Sequence, residues 1–96
     1  MQYHLSLQIQ PGPKVMKVQV GHTVELPCVP KGVPEPTVTW IKDLKEYQAS
    51  PDGSLVLKTV TLEDEGTYMC TASNTAGRDE ARIRVVIQGW LQNFFY

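Results

Sequence analysis

Cys28, Cys70, His4 and His22 are the side chains of this 96-residue chain best suited to metal binding or nucleophilic chemistry. Together they have the composition of a Cys2His2 set, but the spacing is wrong for a zinc site. Nucleophilic catalysis needs a histidine held by a third group within hydrogen-bond reach. His22 falls on the turn Gly21-His22 and His4 near a terminus, so both read as solvated side chains. The acidic run Glu63-Asp64-Glu65 could be taken for a calcium site. The simpler reading has Asp64 capping a turn, with Glu63 and Glu65 facing water. Tyr68 is the remaining reactive candidate, as a phenol. None of these makes a catalytic constellation. No catalytic residue, metal site or cofactor is expected, and the chain reads as a non-enzyme.

The totals limit what can position such residues. Ninety-six residues make one domain. Domains this small bury a limited core and often need a covalent staple. Two cysteines allow one bridge. Closing a loop of about forty residues would stabilise the fold by roughly 4 kcal/mol in the chain-entropy model. Such a bridge persists in oxidising compartments, which favours a secreted or cell-surface protein. The formal net charge is −1, so no basic excess draws in phosphate backbones and no nucleic-acid partner is expected. No stretch approaches the roughly twenty apolar residues of a membrane helix, so no membrane insertion is expected. Met1–Gln10 lacks the charged start and apolar run of a signal peptide. The chain reads as one module of something longer. Asn74-Thr75-Ala76 fails the rule for a glycosylation acceptor.

Period-two alternation dominates the chain. In Glu63 to Asn74, Tyr68, Cys70 and Ala72 point to one side of a strand, and Thr67, Met69 and Thr71 to the other. Leu5, Leu7 and Ile9 alternate near the start, as an edge strand would, until Pro11-Gly12-Pro13 interrupts. Lys14–Val20 then resumes, with Val18 and Val20 inward. Val24, Leu26 and Cys28 face inward, with Pro27 outward among them. Gly32-Val33-Pro34-Glu35-Pro36 is a stiff loop into a strand that buries Val38 and Trp40. Asp52-Gly53 marks a tight turn before Leu55 and Leu57. Val60 and Leu62 fill the end of the core. Asn74-Thr75-Ala76-Gly77 is a hairpin turn, and Ala81, Ile83, Val85 and Ile87 face inward beyond it. Seven or eight short, regularly spaced strands fit an all-β sandwich.

The set Cys28, Trp40 and Asp64-x-Gly66-x-Tyr68-x-Cys70, with Leu57 and Gly77, resembles an immunoglobulin domain. The resemblance covers roughly residues 13–88. It implies an immunoglobulin-like β-sandwich: two antiparallel sheets joined by a Cys28–Cys70 disulfide, with Trp40 packed on the bridge. It also implies that the Tyr68 hydroxyl bonds a backbone group near the preceding corner. Only fourteen residues separate Trp40 from Leu55, too few for the extra pair of strands of a variable domain with their loops. No arginine in that interval can pair with Asp64. Both features, and the split first strand, favour the intermediate set (I-set). The wording is most similar to the tandem modules of hemicentin-type extracellular matrix proteins.

Three segments are expected: 1–12 as an edge strand or leader, 13–88 as the immunoglobulin domain, and 89–96 as an apolar tail outside the core. The implied function is protein–protein contact or adhesion in an extracellular tandem array. An intracellular muscle-type module and a ligand-binding receptor domain are the alternatives. On the sheet carrying Trp40 and Cys70, alternation turns Thr39, Ile41, Met69, Thr71, Arg82, Arg84 and Val86 outward. Met and Arg are enriched at interfaces, so these residues form the candidate interaction face. In Gly89–Tyr96, five of eight residues are large and apolar. Trp90 with Phe94, and Leu91 with Phe95, are spaced for one helical face, yet so short a helix is marginal in water. The tail is expected to be disordered or ordered only by docking, and to support weak self-association.

Overall fold

The computed structural model describes residues 6–89, so expectations for His4 and the 90–96 stretch lie outside the described residues. Among the described residues nine strands follow one another: β1 (Gln8–Ile9), β2 (Val15–Gln19), β3 (Val24–Leu26), β4 (Pro30–Lys31), β5 (Thr37–Lys42), β6 (Lys45–Gln48), β7 (Leu55–Leu57), β8 (Gly66–Asn74) and β9 (Gly77–Gln88). A 3-10 turn, Leu62–Asp64, links β7 to β8. One layer is a five-stranded sheet of order β2-β9-β8-β5-β6. The other consists of two short ladders, β3-β7 and β1-β4. Every pairing is antiparallel except β2 with β9, which is parallel.

The alternation read from β8 sets the layers. Tyr68, Cys70 and Ala72 are buried between them, and Tyr68 and Cys70 share one core cluster with Leu26, Leu55 and Leu57 from the opposite layer. Trp40 lies directly across from Cys70 in the β5–β8 ladder and is fully enclosed. Cys28 and Cys70 form the inter-layer disulfide. Ile83, Val85 and Ile87 of β9 complete the wall, and Val60 is as inaccessible as Trp40. Val24 and Val38, near the two ends of the sandwich, are only half-buried.

Several local expectations change. Leu62 does not fill the core: it sits in the 3-10 turn at 53% exposure, while Val60 takes the space. Pro27 does not continue a strand. It has no N–H for the ladder, so the β3–β7 pairing ends at Leu26–Leu55, and the next strand, β4, pairs with β1 instead. The interval after Trp40 holds one additional strand, β6. Asp43 and Leu44 reverse the chain in two residues, with φ of 52° and 65°, so the hairpin needs almost no loop. Glu65 does not simply face water; its Oε1 accepts the Ile87 N–H at 2.8 Å.

Candidate interaction face

The inner side of the five-stranded sheet fixes the outer side. Trp40 donates its indole Nε1–H to the Gly53 carbonyl at 2.8 Å. Gly53 adopts φ +94°, which L side chains rarely accept, and a Cβ there would sit 2.5 Å from the Cys28 carbonyl oxygen. One turn therefore satisfies the polar tip of the largest core residue. Asp52 supports that turn by accepting the Ser54 hydroxyl at 2.7 Å and the Ser54 N–H at 3.0 Å. The Ser54 hydroxyl bond, then the backbone bond, holds the Asp52 carboxyl below its ordinary value.

Tyr68 donates to the Asp64 carbonyl at 2.6 Å, bonding the corner back to β8. Burial first, then the negative charge of Asp64, pushes its phenol well above the ordinary tyrosine range. Asp64 itself does not open the turn. Thr61 is the N-cap: its hydroxyl accepts the Glu63 N–H, and Asp64 Oδ2 accepts the Thr61 N–H at 2.7 Å. Gly66, the next member of the pattern, is half-buried at φ +149° where Lys42 passes.

Lys42 is the residue that sequence reasoning missed. It is 8% exposed, with Nζ 3.0 Å from the Glu63 carbonyl and 5.4 Å from the centre of the Tyr68 ring. An ammonium so enclosed needs acceptors, and here a carbonyl and an aromatic face supply them. Its ion pair with the exposed Asp43, at 3.5 Å, adds little in solvent. The signal lies in the alternation: Val38 and Trp40 face inward, and period two places Lys42 on the same side.

The opposite side of the sheet presents ordered rows. Ile41 lies across from Met69 and Met69 across from Arg82, with Glu46 beyond Ile41. Thr39, Thr71 and Glu80 form the neighbouring row. Thr67 faces Arg84, which pairs with Val15 of β2; Val86 lies beside Lys17. Ile41, Met69, Thr71, Thr39 and Val86 are half-buried, while Arg82 and Arg84 are exposed. Glu80 takes Arg78 at 2.9 Å and Arg82 at 3.5 Å. Thr71 Oγ1 is enclosed yet has no hydrogen-bond partner among the described residues. It borders a shallow depression of about 240 Å³ with Thr39, Ile41, Glu46, Ser73 and Arg78. At the end of the face, Asn74 accepts the Ala76 and Gly77 N–H groups and donates to the Pro34 carbonyl at 2.7 Å. The 74–77 turn and the 32–36 loop are thereby tied together. Among the described residues no three acidic, histidine or cysteine side chains converge as a metal site would require.

Two layers, an inter-layer disulfide with a buried tryptophan beside it, and the tyrosine bonded back to its own corner define an immunoglobulin-type sandwich. The chain belongs to the immunoglobulin I-set domain family, which matches residues 7–87. It is 41% identical to human Hemicentin-1 over 92 residues, covering 88% of this chain and 2% of that protein. The chain thus spans a small fraction of the relatives it matches. Among solved structures it is similar to the Titin M10–Obscurin like 1 Ig complex, at TM-score 0.77 and 32% identity, covering 86% of this chain and 94% of that one. It is similar also to Drosophila OTK extracellular domains 3–5, at TM-score 0.77 and 28% identity, covering 88% of this chain and 32% of that one.

Proposed function

We propose that this domain is a non-catalytic protein–protein contact module of an extracellular tandem array, working through the outer face of its five-stranded sheet. The observation that carries this reading is the Ile41–Met69 pair. It gives the face an apolar centre flanked by Glu46 and Arg82 on one row and by threonine hydroxyls on the next. Interfaces concentrate such a mixture: an apolar anchor, arginine, and polar groups at the rim. Thr71 Oγ1 adds a hydroxyl whose bonding capacity the domain leaves unused. The closed Cys28–Cys70 bridge supports an oxidising compartment, and similarity to Hemicentin-1 supports the array setting.

The test uses Met69→Glu and Val86→Glu. Each is expected to weaken self-association or partner binding by about tenfold or more, because a carboxylate in an apolar contact is poorly solvated. Melting temperature should stay near that of the parent. Unchanged sedimentation and unchanged adhesion for both variants would reduce the face to ordinary surface.

A second reading is an intracellular, load-bearing module. The likeness to the titin-containing complex, at 32% identity, favours it. Quantifying thiols on natively purified protein separates the two, since the extracellular reading requires that none be free.

A further inference from the structure

The two halves of the first strand leave part of β9 uncovered. β2 pairs with β9 only from Val15–Arg84 to Gln19–Gln88. The Arg84 N–H donates to Lys14 O at 2.8 Å and Gln88 O accepts the Val20 N–H at 3.0 Å, so even-numbered residues of β9 turn their backbone groups toward this edge. Arg82 and Glu80 therefore present theirs toward the connection from β1 to β2, which forms no backbone hydrogen bond with them. The Glu80 N–H is covered by Asp79 Oδ1 at 2.8 Å. The Glu80 carbonyl and both backbone groups of Arg82 have no partner among the described residues. They open into a hollow of about 660 Å³ lined by Ile9, Pro11, Pro13 and Pro27 and by Lys14 and Arg84.

The charges around the hollow are not balanced. Asp79 is committed to the Ile9 and Glu80 N–H groups, and Glu80 to Arg78 and Arg82. Lys14 and Arg84 form no ion pair among the described residues. We propose that the hollow between β1 and β2 accepts an extended acidic segment of a partner protein, which adds to the open edge of β9 at Glu80 and Arg82. Backbone hydrogen bonds supply the attachment and the proline and isoleucine walls take alternate apolar side chains. Lys14 and Arg84 select for carboxylates. The attachment uses the backbone edge of β9 at Glu80 and Arg82 rather than the Ile41 and Met69 side chains, so its failure would leave that reading standing.

The experiment titrates the nitrogen-15-labelled domain with acetyl-Val-Glu-Val-Glu-Val-Glu-amide. Saturable amide shifts centred on Arg82 and Lys14 are expected, with exchange of the Arg82 amide slowed on binding. The same peptide methylated at alternate backbone nitrogens keeps every charge but loses strand hydrogen bonds, and its affinity should drop by about tenfold. A lysine-for-glutamate peptide should be weaker by about tenfold, and the exposed Lys14→Glu change should reduce affinity while Lys14→Arg restores it. The proposal is overturned if the lysine or methylated peptide binds equally well. It is overturned too if shifts centre on β6 or on Ile41 and Met69, or if no saturable shift appears up to millimolar peptide.

Discussion

Trp40, Gly53 and Tyr68 show how single side chains hold the two layers in register. The indole of Trp40 is fully buried, and its N–H has one acceptor, the Gly53 carbonyl. The turn must therefore bring that carbonyl inward, which only a left-handed backbone at position 53 allows here. Gly53→Ala meets both obstacles at once, the positive φ and the approach of Cβ to the Cys28 oxygen. It should cost about 2–4 kcal/mol and lower the melting temperature by roughly 10 °C or more. An alanine variant melting within a few degrees of the parent would show that the turn is free to rearrange. Tyr68 supplies a different readout. The folded state raises its phenol above the unfolded value of about 10, so below that pH its contribution is fully present. As pH rises further the unfolded chain releases the proton first, and stability falls until the folded group also titrates. Urea midpoints measured across this alkaline range should therefore decline more steeply in the parent than in Tyr68→Phe. Parallel declines would mean that the phenol is not protected.

At the scale of elements, what could be read from the sequence follows from which interactions are periodic. The sides of β8 and β9 were legible because Tyr68, Cys70, Ala72, Ile83 and Val85 repeat every second residue over a buried layer. The parallel pairing of β2 with β9 left no such trace, since alternation shows which side of a strand is buried and not which strand lies beside it. The burial of Lys42 ran against charge, and its acceptors lie twenty-one or more residues away. Strand β6 was missed for a conformational reason. Its turn, Asp43-Leu44, uses two positive-φ residues, a geometry that Asn-Gly signals and Asp-Leu does not. Leu44 is fully exposed, so no packing offsets its strain. Leu44→Gly should therefore relieve about 0.5–1 kcal/mol, less the added freedom of the unfolded chain, and raise the melting temperature by a few degrees. A fall on this substitution would argue that the hairpin does not hold the geometry described. The outer rows containing Ile41, Met69 and Val86 were placed by the same alternation, but it says nothing about what a partner would use.

For the whole molecule, the decisive quantity is how much of the fold survives without its staple. The layers meet over a small core, and the short ladders β3-β7 and β1-β4 offer few hydrogen bonds to hold the second layer. Cys28 and Cys70 are 42 residues apart in sequence, so reduction frees a long loop in the unfolded chain. In the chain-entropy model this removes roughly 4 kcal/mol, against a total of about 5–15 kcal/mol for a typical domain. Both sulfurs are enclosed beside Trp40, so packing should persist in any folded reduced state. The reduced domain should then unfold cooperatively at a urea midpoint lower by roughly 2–4 M, with a similar slope. The measurement is a tryptophan-fluorescence melt of the oxidised protein beside a sample whose thiols are titrated as fully reduced. A small shift in midpoint would mean that the two layers are held chiefly by the Leu26, Leu55, Trp40 and Val85 contacts. A complete loss of the transition would mean that the bridge is required for the second layer to form at all.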